Sequence, residues 1–423
     1  MKKTKGIFAA GALTLALAAC GQTTQTAQTT LQNTVTPVSQ QLTVQQTGMT
    51  QTVTTTGPAT DGGEATDGGE ATATGNDFFT ERDMAQEADL TGAVYETVED
   101  GKTLSVTSEG VYVLSGSAKD YSVIVEAGDE DKVQIVLDGV SVTNTDFPVI
   151  YVKNADKVFV TTTDSDNALS VTGTFRADGD TNTDAVIFSR DDVVLNGKGS
   201  LAITSTANGI SGKDEIKVTG GTLKVECAAD GLEANESILI ADGSITIRTT
   251  KDGLHAEYDE DNNTGSILIS GGTLAVAAGD DAIHATTWLQ IDGGEMALAG
   301  AECMEATYIQ INDGTIVIEA SDDGVNAAQK SGAYTPTFEM NGGSMQITMG
   351  QGDTDAIDSN GNLIINGGTL DLRAQSPFDY DGTAQYNGGT VIVNGQEVSS
   401  VQNSQMGGGG GFGGRGGRPG GRR

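Results

Sequence analysis

Acidic residues recur at one place in a short motif, and their spacing is the first chemical feature of the chain. The motif is Asp-Gly-apolar-x-Ala. It reads Asp230-Gly231-Leu232-Glu233-Ala234, Asp252-Gly253-Leu254-His255-Ala256, Asp281-Ala282-Ile283-His284-Ala285 and Asp323-Gly324-Val325-Asn326-Ala327. Glu302-Cys303-Met304-Glu305-Ala306 and Asp355-Ala356-Ile357-Asp358 are weaker copies, and Asn208-Gly209-Ile210 precedes the set. If copies stack, Asp230, Asp252, Asp281, Glu302, Asp323 and Asp355 form one ladder. Glu233, His255, His284, Glu305, Asn326 and Asp358 form a second. Neighbouring strands lie about 4.8 Å apart, so stacked carboxylates repel. Either some hold protons or a cation sits between them. Calcium takes oxygen ligands at about 2.3–2.6 Å, so one ion can bridge two acids at that separation. All-oxygen ligands favour calcium over zinc or copper. The expected calcium ligands are Asp230, Glu233, Asp252, Asp281, Glu302, Glu305, Asp323, Asp355 and Asp358. The competing reading is that the first Asp of each copy caps a turn through its side chain.

Other residues invite chemistry more weakly. His255 and His284 fall one copy apart on one face, where contact with a sugar suits them better than a metal site made of two His. Lys251, beside Asp252, is a candidate sugar contact. Lys251 and Lys213 are also the only convenient bases for a calcium-dependent lyase, and both read more simply as surface charges. Gly279-Asp280-Asp281 with His284 superficially resembles a hydrolase cluster, but Asp281 and His284 hold ordinary repeat positions. No catalytic residue is assigned. The acidic run Asp259-Glu260-Asp261-Asn262-Asn263 departs from a calcium-binding hand, because Thr264 stands where Gly is needed and no Glu closes the loop. Trp288, Tyr258, Tyr308 and Tyr334 are the aromatics available for stacking on sugars.

The elements that must hold these groups are strands. Ile216-Lys217-Val218 leads through Gly220-Gly221 to Leu223-Lys224-Val225, and Ile238-Leu239-Ile240 through Asp242-Gly243 to Ile245-Thr246-Ile247. Ile267-Leu268-Ile269 follows suit through Gly271-Gly272, and later copies turn at Gly293-Gly294, Asp313-Gly314, Gly342-Gly343, Gly367-Gly368 and Gly388-Gly389. Period-two alternation means strands with one buried face. Copies of the acidic motif fall 22, 29, 21, 21 and 32 residues apart. The expected fold is therefore all-β, a right-handed parallel β-helix with three short strands in each coil of about 22 residues. The longer spacings carry insertions at 258–264 and 329–336, expected as loops on one face. Val111–Leu114, Val123–Val125, Val133–Leu137, Val149–Val152, Val158–Val160 and Val193–Ile203 are taken as the first coils. Phe78, Phe79, Met84 and Leu90 suggest a short helix capping the open end. A β-sandwich pair is the alternative fold, but it explains neither the period nor the repeated Asp. Cys227 and Cys303 fall about four coils apart, or roughly 19 Å, beyond disulfide reach.

The ends carry no core. Lys2, Lys3 and Lys5, an apolar run from Ile7 to Leu17, and Leu17-Ala18-Ala19-Cys20 read as an export signal. They are similar to a bacterial lipoprotein signal, so residues 1–19 are expected to be removed and Cys20 lipidated; an ordinary cleaved signal is the alternative. Residues 20–76 are rich in Thr, Gln and Gly and are expected to be a disordered tether. Residues 77–400 form the folded domain, and 401–423 a disordered Gly/Arg tail. The chain has 423 residues, 58 of them acidic against 23 basic, for a net charge of −35. That excludes a basic nucleic-acid footprint. With 59 Gly and much Val, Ile and Thr, a helical bundle is also excluded.

The Asp-Gly-x-x-Ala copies, the Asn/Asp-Gly-Gly turns and the run Ile135-Val136-Leu137-Asp138-Gly139-Val140-Ser141-Val142 together resemble a family of bacterial surface carbohydrate-binding proteins. The resemblance covers about residues 77–400. It implies an exported protein, often a lipoprotein, on a parallel β-helix like that of polysaccharide lyases. It also implies calcium-assisted binding of acidic or neutral polysaccharide, such as pectate or cellulose, without established catalysis. A monomer anchored by lipid on the outer face of the membrane is expected, with calcium (Ca2+) bound. A calcium-dependent lyase or hydrolase on the same scaffold, and a purely structural or adhesive surface protein, are the alternatives.

Overall fold

The computed structural model describes residues 78–404, apart from 259–260 and 352–353. The expectations for the signal, Cys20, the tether, the Gly/Arg tail, and Asp259 and Glu260 fall outside the described residues. The fold is all-β: its elements, from Val94–Thr97 to Gln396–Val398, are strands arranged in two long sheets. Pairing is parallel throughout the named strands, except where Thr390–Val393 turns back on Gln396–Val398. Long parallel sheets of this kind are what a solenoid of stacked repeats requires.

From Glu215 onward each repeat contributes in the same way. Glu215–Val218 and Thr222–Glu226 join the 24-stranded sheet, and Leu232–Ala234 joins the 12-stranded sheet. The next repeat supplies Ser237–Ile240, Ser244–Arg248 and Leu254–Ala256 to the same places. Alternation decides which side chains go inside. Leu223 pairs with Ile245, Ile245 with Leu274, Leu274 with Met296 and Met296 with Ile316, forming one continuous buried stack. Each fully buried Leu, Ile or Met contributes about 1.5–3 kcal/mol, so the stack supplies both the stability and the register.

The turns between strands add a second register device. Asn312 donates its side-chain amide to Asp292 at 2.7 Å, Asn341 to Asn312 at 2.8 Å, Asn366 to Asn341 at 2.7 Å and Asn387 to Asn366 at 2.8 Å. The glycine turns lie directly beside this ladder. Gly272 has φ +81°, and a Cβ there would meet the Gly243 carbonyl oxygen at 2.7 Å, so both the conformation and the spacing demand glycine.

Two expectations for the N-terminal region are corrected. Val193–Ile203 is two strands, Asp192–Gly197 and Ser200–Thr204, separated at Lys198-Gly199. Residues 80–90 form no helix and cap no end; Met84 and Leu90 are exposed. The segment lies across a flank of the larger sheet, drawn there by polar groups rather than by apolar ones. Gln86 donates to the Thr219 carbonyl and accepts from the Gly197 N–H, both at 3.0 Å, and Lys217 donates to the Phe78 carbonyl at 2.6 Å. Asp83 is fully buried there, 3.7 Å from Lys157 and 3.5 Å from Lys217. Cys227 and Cys303 are both free thiols.

Candidate functional site

The smaller sheet aligns the second ladder as its spacing predicts. Ser211 pairs with Glu233, Glu233 with His255, His255 with His284, His284 with Glu305, Glu305 with Asn326, Asn326 with Asp358 and Asp358 with Asp379. Glu233, His255, His284, Glu305, Asn326 and Asp358 are each the middle residue of a three-residue strand whose flanking residues are buried. The middle side chains therefore share the outer face. Towards the N-terminus the same column continues through Phe188 and Tyr151. Those rings pack edge to face at 5.7 Å and form a small apolar cluster with Phe147 and Ala185 outside the main core. Arg176 lies 4.1 Å above the Phe147 ring. Sequence alone does not announce this cluster, because the Asp-Gly-apolar-x-Ala motif is absent around Tyr151 and Phe188 although both hold the column's register.

Part of the first ladder joins successive repeats, through one side-chain oxygen each of Asn208, Asp230, Asp252 and Asp323. Asn208 Oδ1 accepts from the Asp230 N–H at 2.9 Å, Asp230 from the Asp252 N–H at 3.1 Å, and Asp252 from the Asp281 N–H at 2.9 Å. Asp323 does the same for Asp355 at 3.0 Å. The capping role of these side chains is thus real. In Asp230 and Asp252 it leaves the second carboxylate oxygen facing the outer column, where it meets Lys251 and His255.

Asp230 Oδ2 lies 3.3 Å from Lys251 Nζ and 3.7 Å from His255 Nδ1. Asp252 Oδ2 lies 3.3 Å from His255 Nδ1. His284 Nδ1 lies 2.8 Å from Asp281 Oδ2 and 3.0 Å from Glu305 Oε2. Glu233 meets Lys213 at 3.4 Å and accepts from Ser211 at 2.6 Å. Lys330, from the second insertion, reaches Glu305 at 2.8 Å. That insertion also brings Tyr334 against Tyr308, with ring centroids 5.8 Å apart. Trp288 pairs in register with Tyr308 in the larger sheet, so these aromatics belong to a different sheet from the ladders.

The charges divide the column in two. In its middle, burial opposes ionisation, but close opposite charges prevail. The carboxyls of Asp230 and Glu305 are held below the usual range by His255 and by His284 with Lys330. Asp281 is pushed up by burial and by the nearby Glu305. His284, although buried, is raised to about 10 by Asp281 and Glu305. Partial burial works against the charge of Lys251, yet Asp230, Asp252 and Glu233 keep the ammonium above its usual value.

Further along, among the described residues, no salt bridge reaches Glu302, Asp323 or Asp358. Burial followed by mutual repulsion raises Glu302 and Asp323 to about 7 and Asp358 to about 6. Three-donor groups with ligand atoms within 4.8 Å of one another form at Asp230/Asp252/His255, Asp281/His284/Glu305, Asp252/Asp280/Asp281 and His255/Glu257/His284. Glu302, Asp323, Asp355 and Asp358 form no such group among the described residues. Glu257 belongs to the site although the repeat pattern does not contain it.

Comparison with known proteins gives a consistent result. The family described as "Carbohydrate-binding domain-containing protein" matches residues 100–353 and 299–406, a span that includes both ladders. A carbohydrate-binding domain-containing protein of Acetivibrio thermocellus is 36% identical over 124 residues, which is 28% of this chain and 43% of that protein. The chain thus spans under half the length of that relative. A polysaccharide lyase-like protein from C. thermocellum, solved as a gadolinium derivative, is 23% identical and aligns over 69% of this chain and 98% of its own, with a TM-score of 0.42. The chain belongs to the carbohydrate-binding domain-containing protein family.

Proposed function

We propose that the protein holds polysaccharide outside the cell, along the outer face of the smaller sheet, without cleaving it. One observation carries the reading: the family match spans the whole register-aligned column from Glu233 to Asp379. A row of polar groups repeated at every strand suits a polymer, since each strand offers the next sugar equivalent partners. Lys251 and His255, at the accessible edge, would donate to sugar oxygens, with His284 buried behind them. The repeats are read as coils of a right-handed parallel β-helix, and Cys20 as the lipid-bearing residue that anchors the mature chain.

Calcium is placed along Glu302, Asp323 and Asp358 on charge rather than on a preformed ligand group, since these acids form none among the described residues. These acids lack a protein cation and repel one another, so a divalent ion with water completing its shell would relieve them. The middle of the column needs calcium less, because Lys251, Lys330 and the two His already balance it. A pectate-type polymer would be drawn to the acidic stretch only through such an ion.

Lyase chemistry needs a neutral base beside the metal, and Lys251 is held protonated by Asp230. The test combines two readouts on the full-length mature protein. Retention on insoluble cellulose and on immobilised polygalacturonate is measured with calcium and with a chelator. Release of unsaturated uronate is followed in parallel. Retention without product supports the proposal. Product that disappears in Lys251→Ala would replace it with a lyase, and no retention on any glycan would leave a structural surface protein.

A further inference from the structure

We propose that His255, His284 and Glu257 form a site for a first-row divalent transition metal, typified by zinc, separate from the calcium positions. The chain has two His in 423 residues, and they stand opposite each other on adjacent strands. Glu257 lies two residues beyond His255. His255 Nε2 is 3.0 Å from Glu257 Oε2, and His284 Nε2 is 3.8 Å from the same atom. Zinc binds nitrogen and oxygen ligands at about 2.0–2.2 Å, so donors in a tetrahedral site stand roughly 3.3 Å apart. The two distances to Glu257 bracket that separation, and all three donor atoms lie within 4.8 Å of one another.

The outer contacts of both rings point the same way. His284 Nδ1 is taken by Asp281 and Glu305, which leaves Nε2 as the nitrogen that faces a metal and gives up its proton when the metal binds. His255 Nδ1 lies 3.3 Å from Asp252 and 3.7 Å from Asp230, in charge contact but without a hydrogen bond. Carboxylates behind the distal nitrogens are what orient and strengthen metal-binding imidazoles. His284 is only 8% exposed, and its Nε2 has no hydrogen-bond partner, although it is aimed at Glu257. A buried ring nitrogen without a partner is costly, and a metal ion that displaces its proton satisfies it. Two imidazoles select against calcium, which prefers oxygen. Glu257 is exposed, so the fourth position faces solvent and is open to water or to an oxygen of a ligand.

This site stands independently of the polysaccharide reading, because its test uses metal alone. Chelator-treated full-length protein is titrated with zinc chloride in excess calcium, against a chromophoric zinc chelator. The imidazole proton signals are followed by NMR; with two His in the chain, both can be read. The expected result is one zinc per chain, shifts of both imidazole signals, and at least about tenfold weaker binding in His255→Ala and in His284→Ala. Glu305→Gln, which alters only the group behind His284, is expected to weaken zinc about 10–100-fold. Zinc that moves neither imidazole signal of the wild type overturns the proposal, and that readout does not depend on any variant folding. Unchanged affinity in a folded His255→Ala/His284→Ala double variant would also overturn it.

Discussion

The imidazoles of His255 and His284 pack edge to face, with centroids 4.9 Å apart and planes inclined at 64°. Each ring stands over the acid three residues before it, and His284 also touches the acid of the next strand. The rings therefore work as internal counterions for the middle of the ladder. Beyond Glu305 the column has no such partner among the described residues, and the difference between the two stretches governs its response to pH and to cations.

The uncompensated acids set the pH dependence. Burial and neighbouring acids push Glu302 and Asp323 up to about 7 and Asp358 up to about 6 in the folded protein, above the ordinary 4.5 for Glu and 3.8 for Asp. A raised carboxyl pKa means that the folded state binds protons more readily than the unfolded state. Their contribution is fully present below about pH 4 and is lost as pH rises through these values. In calcium-free buffer, thermal unfolding should therefore shift to lower temperature between pH 5 and pH 8, by roughly a few degrees. Asp323→Asn should flatten that slope and melt higher than wild type at pH 8. A slope unaltered by Asp323→Asn would contradict this reading.

Asp83 should behave in the opposite sense. Burial alone would raise its carboxyl, but the Thr80 N–H, Lys157 and Lys217 outweigh burial and hold it below the usual Asp range. Its ionised form stabilises the fold above about pH 3.9, and that contribution disappears as pH falls through the lowered value. Lys157 keeps Asp192 at 3.3 Å and Lys217 keeps Glu215 at 2.8 Å, so removing Asp83 strands neither cation. The cost of Asp83→Ala is set at about 1–3 kcal/mol for lost buried hydrogen bonds, rather than the larger figure for an orphaned charge. Urea unfolding at pH 7 measures it directly. Limited proteolysis should cut near residues 80–90 faster in the variant.

The asparagine ladder offers a test by position. Asn341 both donates to Asn312 and accepts from Asn366, whereas Asn387 ends the row with a single bond to Asn366. Asn341→Ala should cost about 1–3 kcal/mol, because it leaves polar neighbours without partners. Asn387→Ala should cost about 0.5–1.5 kcal/mol, the ordinary net value of one hydrogen bond. Equal losses in urea unfolding would show that the row does not act as a ladder.

Much of this arrangement could be read before any coordinates. The spacing of Asp230, Asp252 and Asp281 set the pairing of Glu233, His255 and His284, because a period-two strand fixes which side chains share a face. The double role of the Asp residues was legible only in part. The spacing offers turn capping and a bridging calcium ion as alternatives; in Asp230 and Asp252 one oxygen caps the next repeat and the other faces Lys251 or His255. Glu257 escaped notice because it follows the repeat and joins the site only through the position of His255. The docking of Asp83 and Gln86 depends on partners more than a hundred residues away, and nothing periodic announces it. Tyr151 and Phe188 occupy the polar column's own register, yet a local apolar cluster covers them.

The central claim concerns the acidic stretch of the smaller sheet, and calorimetry of the mature protein tests it most directly. Calcium is titrated first, then polygalacturonate, into wild type and into a double variant, Asp323→Asn with Asp358→Asn. Wild type should bind calcium and then the polymer, while the double variant remains folded, loses that calcium heat and binds the polymer at least about tenfold more weakly. Equal calcium and polymer binding by the two proteins would contradict the account.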